Sequence, residues 1–118
     1  MMGIRVIMEL GMAEFIYARK TPGLLAELRK YASTRHYCRT MQEEIEFHTW
    51  LFAIGGNAMA NQFQQTLTTA FQRYEERPPR GKILRTPTHR DICDTLENGT
   101  AEEFRQVMRK HFSPYIDW

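Results

Sequence analysis

The sequence predicts an all-α protein. Apolar residues recur at the spacing that places them on one face of a helix, in stretch after stretch. Helix-opening signals precede several of these stretches: Thr21-Pro22, Thr88-x-x-Asp91 and Thr100-x-x-Glu103. Glycines close others, at Gly55-Gly56-Asn57 and at Gly99.

Length and composition narrow the function classes. The chain of 118 residues fits a single domain, 1–118, with one sizeable core. Its formal net charge is only +2, so it lacks the basic footprint of a nucleic-acid binder. No stretch of eighteen consecutive apolar residues is present, which argues against a membrane span. The apolar opening carries Arg5 and Glu9 and leads to no small-residue cleavage site, so it does not read as a signal peptide. Cys38 and Cys93 lie far apart and suggest no disulfide framework, which makes a reducing cytoplasm the expected compartment.

Six helices are expected in order. The first, from residue 3 to about 19, is apolar nearly all round, so it is central or shared with a partner chain. Gly11 in its middle suits a close helix approach. Arg5 and Glu9 are four apart. They read either as an intrahelical ion pair near the surface or as a basic group placed in an internal pocket to meet an anion. The second helix starts with Thr21 as N-cap and Pro22 in its first turn, and is expected to end near Ser33-Thr34. His36 comes next, on a polar, solvated stretch. The third begins around Thr40 and stops at Gly55-Gly56-Asn57, where Asn57 can also cap the next helix. The fourth runs from about Ala58 to Glu75, before a basic Pro/Gly loop over residues 77–82 that reads as a solvated connection. Two short helices with capping boxes complete the chain, and the aromatic Tyr115-Ile116-Asp117-Trp118 is expected to pack.

The chemistry concentrates on histidines. Glu44 and His48, four apart, lie on one helical face between Phe47 and Leu51 on one side and Ile45 and Phe52 on the other. A carboxylate and an imidazole aimed inward make half of a metal site, because a buried carboxylate is costly unless paired or metal-bound. His89 shares a face with Ile92, Cys93 and Leu96; His111 shares one with Phe104, Val107 and Met108. One inward histidine is ordinarily a satisfied core residue, but three on three helices, with a Glu, suit zinc, nickel, iron or manganese. No His-Glu-x-x-His helix or zinc-ribbon cysteine pair supports this locally.

In this order the residues resemble a known family, the FCD effector domain of GntR-type bacterial transcription regulators of the FadR subfamily. The pieces are Arg5-x-x-Met8-Glu9, Glu44-Ile45-Glu46-Phe47-His48, Gly55-Gly56-Asn57, His89-Arg90-Asp91-Ile92, Asn98-Gly99-Thr100 and Met108-Arg109-Lys110-His111. The 22-residue step from His89 to His111 also matches. The resemblance covers almost the whole chain. It implies an antiparallel bundle of about six helices with a central pocket for ligand and metal, commonly a homodimer. By position, Glu44, His48, His89 and His111 would hold a divalent transition metal, zinc or nickel first. Arg5 would pair with the carboxylate of a small organic or sugar-acid effector, and Asn57 would line the pocket or, preferably, shape the helix break. Two departures stand out. Glu44 takes the place of the family's usual Asp. The winged helix-turn-helix domain that precedes the family's effector domain, and through which DNA would be bound, has no counterpart here. The chain therefore reads as an excised or stand-alone effector domain.

The function so implied is sensing, not catalysis: effector binding that controls the DNA binding of a full-length regulator. Two other classes compete with it. One is a metal-free structural or dimerisation bundle whose histidines satisfy one another. The other is a metal-dependent hydrolase with Glu43 or Glu46 as base, although the wheel turns both away from Glu44 and His48.

Overall fold

The computed structural model describes residues 2–32, 41–56, 62, 66 and 86–116, without the side chains of 2–6, 41, 42, 44 and 114–116. The described residues form five helices and no strand: α1 (Met2–Arg19), α2 (Pro22–Arg29), α3 (Met41–Ile54), α4 (His89–Asn98) and α5 (Ala101–Ile116). Gln62 and Thr66, within the expected fourth helix, are both helical, and the Thr66 hydroxyl donates to the Gln62 carbonyl at 3.2 Å. The rest of that stretch, the basic loop, His36, Asn57 and Asp117-Trp118 lie outside the described residues.

Local chemistry sets most helix ends. The Thr21 hydroxyl accepts the Leu24 amide at 3.1 Å and Pro22 occupies the first turn, opening α2. Thr88 and Asp91 form a reciprocal capping box at the start of α4. Thr100 and Glu103 do the same for α5, with contacts of 2.9 and 3.1 Å. α3 closes at Gly56, whose φ of +73° is left-handed backbone that glycine adopts without penalty. α2 is shorter than its sequence suggests. The amides of Lys30, Tyr31 and Ala32 bond to the carbonyls three residues back, a tightened turn that ends the helix at Arg29 instead of near Ser33.

α1 packs mainly on α5 and also on α3, α4 packs on α5, and α2 bridges α3 and α4. Between them lies a core of Ile16, Leu28, Phe47, Leu51, Phe52, Ile92, Leu96, Phe104, Met108 and Phe112, all without exposed surface. Polar ties hold the outer elements to this core. The Tyr17 hydroxyl donates to the Gly99 carbonyl at 2.6 Å, and Lys20 reaches the Leu96 carbonyl while lying over the Tyr17 ring. Arg29 forks to Asp94 and Glu97, each at 2.8 Å. Tyr31 stacks on Trp50 with ring centroids 5.5 Å apart.

α1 departs from expectation in an instructive way. Its inward stripe is Glu9, Ala13 and Ile16, while Ile7 and Phe15 stand 71% and 59% exposed. Glu9 is fully buried, so an ion pair near the surface does not describe it. Where every face of a helix is apolar, the wheel has no contrast from which to assign the inside.

Candidate metal centre

Three helices converge on one point in the core. His48 lies in the middle of α3, His89 is the first residue of α4, and His111 is in the second half of α5. Their exposures are 0%, 3% and 8%. One nitrogen from each lies within 4.8 Å of the others, and the ring centroids are 5.0 to 5.2 Å apart. The capping box around Thr88 fixes where α4 begins, and so where His89 points. Phe47, next to His48 on α3, stacks on the His89 ring at 4.0 Å and 4°, and meets the His48 ring edge-on at 5.3 Å. Phe112 packs beside both His48 and His111.

Hydrogen bonds orient two of the rings. His111 Nδ1 lies 2.9 Å from the Pro87 carbonyl oxygen, which can only accept, so Nδ1 carries the proton and donates. His48 Nδ1 lies 2.8 Å from Glu9 Oε1, and toward an ionised carboxylate, which only accepts, Nδ1 is again the donor. With both rings neutral, both Nε2 atoms carry lone pairs, and they face each other at 3.3 Å. Two acceptors so aimed repel unless a cation is shared between them. Two nitrogens on one tetrahedral zinc, at about 2.05 Å each, stand about 3.3 Å apart. The donor set, its spacing and its hydrogen-bonded outer nitrogens thus fit a divalent transition metal.

The expected site residues fare differently. His48, His89 and His111 come together. Glu44 lies on α3 one turn before His48, and Arg5 lies on α1, but their side chains are outside the described residues, as is Asn57 altogether. Glu9, which the sequence reading paired with Arg5 but did not place at the histidines, belongs beside them; its place amid Met8, Leu10 and Met12 was the available signal. Two surface clefts are described, of about 400 Å³ beside Lys20 and Arg29 and about 520 Å³ between α4 and α5, and neither is lined by a histidine. Among the described residues no helix is long and apolar enough to cross a membrane.

An all-helical domain with three buried histidines on three helices is the class that fold and site define. The FCD domain family model matches residues 1–113, and the chain belongs to that family, the effector-binding domain of GntR-type regulators. No curated protein and no solved structure shows significant similarity to the chain.

Proposed function

We propose that this chain is the ligand-sensing domain of a transcription regulator, holding a divalent transition metal that anchors a small carboxylate or sugar-acid effector. The supporting observation is the meeting of His48 and His111 Nε2 atoms at 3.3 Å, beside His89, inside a domain of a regulator family. His48, His89 and His111 would hold the metal, with Glu44 as the fourth ligand, and the metal would supply an electrophilic anchor for an effector carboxylate. Arg5 would neutralise the effector's charge and Asn57 would shape the α3 break beside it. A homodimer belongs to the same proposal: Ile7 and Phe15 are large apolar side chains left exposed on α1. DNA would be bound only through a winged helix-turn-helix domain joined to this one, and the cytoplasm is the compartment in which such a regulator works. Catalysis is not part of the proposal.

A metal-free structural bundle is the second reading, because buried histidines can also share a proton across the same 3.3 Å. Elemental analysis of the purified chain, with thermal melts before and after chelation, separates the two. The expected result is about one zinc or nickel per chain, a melting point that falls on chelation and recovers with metal, and loss of metal but not of helicity in His89→Ala. No metal, and no response to added zinc, nickel or manganese, would leave the bundle.

A further inference from the structure

The histidine cluster has a partner that lies outside the ligand set. Glu9 on α1 and His48 on α3 are 39 residues apart in sequence, both without exposed surface, and joined at 2.8 Å between Oε1 and Nδ1. A carboxylate in an apolar interior is costly unless a specific contact offsets its desolvation. Toward the C-terminal end of its own stripe Glu9 is followed by the apolar Ala13 and Ile16. Its Oε1 meets the outer nitrogen of a histidine whose inner nitrogen faces the cluster.

We propose that Glu9 is a positioning residue for the metal centre, a role that rests on the metal reading of the three histidines. Its carboxylate holds the His48 proton on Nδ1, which leaves Nε2 as the ligand atom and fixes the ring angle. It also draws that proton toward itself, which makes Nε2 a stronger donor. The Nδ1 of His111 is held by the neutral Pro87 carbonyl, so of these two contacts the one to His48 brings charge. The imidazoles are neutral, so beside the proposed Glu44 ligand Glu9 adds a second negative charge to offset a divalent cation. Because Glu9 sits on α1, metal loading also bears on where the N-terminal helix lies against α3.

The test uses the full chain with Glu9→Ala and Glu9→Gln. Zinc affinity is measured by competition with a chromophoric chelator, and the His48 tautomer by nitrogen-15 NMR of the metal-free protein. Glu9→Ala is expected to weaken zinc binding about 10- to 100-fold and to release His48 into a mixture of tautomers. Glu9→Gln is expected to keep the Nδ1–H tautomer, since its amide oxygen still accepts, and to recover part of the affinity without the charge. Equal zinc affinity in all three proteins overturns the proposal, as does an unchanged His48 tautomer in Glu9→Ala. If Glu9→Ala does not fold, Glu9→Gln decides: zinc affinity equal to wild type overturns the role of the charge. Wild-type protein that takes up no zinc overturns the metal reading and this role with it, whereas zinc uptake unaffected by either substitution overturns this role alone.

Discussion

Phe47 is the residue through which core packing and site geometry are the same thing, and replacing it by leucine tests that. The side chain has no exposed surface, so Phe47→Ala would open a cavity costing about 3–5 kcal/mol. That is a large part of the roughly 5–15 kcal/mol expected for a domain, and it would confuse loss of site with loss of fold. Leucine keeps most of the apolar burial and removes the ring. What is lost is the parallel stack on His89 at 4.0 Å and the edge contact with His48 at 5.3 Å. Ring pairs contribute about 0.5–1.5 kcal/mol each beyond burial, and the smaller side chain forfeits about 1 kcal/mol of transfer free energy. Phe47→Leu should therefore cost about 2–4 kcal/mol in urea melts of the metal-free protein, with an unchanged slope. The part that frees the His89 ring, on the order of 1 kcal/mol, should weaken zinc binding about fivefold in chelator competition. A loss below about 0.5 kcal/mol together with wild-type zinc affinity would refute the reasoning. It would mean that the backbone of α4, set by the Thr88 cap, holds His89 without help from the ring.

Two other single-residue changes have definite expected outcomes. Gly56→Ala should cost about 1–2 kcal/mol in urea melts, because its φ is +73° and the added carbon meets only the far end of the flexible Arg19 side chain, which can move; Gly56→Asn should cost less, since asparagine tolerates that region. Burial pushes the Cys93 thiol up to about 11 from its ordinary 9.0, so between those values the unfolded chain releases a proton that the folded chain keeps. Stability should therefore fall as pH rises through that window, by at most roughly 2–3 kcal/mol. Wild-type minus Cys93→Ala stability measured from pH 8 to 11 isolates this, and a difference that does not change with pH would contradict it.

Much of this protein is legible along the chain because it depends on neighbours in sequence. The caps at Thr21, Thr88 and Thr100 are hydrogen bonds between residues three apart, so the residue types and spacing suffice to place them. The inward turn of His48, His89 and His111 is also local, since each shares a face with strongly apolar neighbours whose burial carries it inside. The early end of α2 is less legible, because the tightened turn after Arg29 replaces one helical pattern by another without any breaker residue.

Only the tertiary structure could decide the rest. The meeting of three imidazoles depends on how α3, α4 and α5 pack, and the proton positions on His48 and His111 depend on partners 39 and 24 residues away. Glu9 shows the limit most clearly. Helical periodicity places a side chain inside only by contrast with its neighbours, and α1 offers little contrast: it exposes Ile7 and Phe15 and buries a carboxylate. That carboxylate meets a histidine on another helix, a long-range contact that no periodicity within α1 encodes.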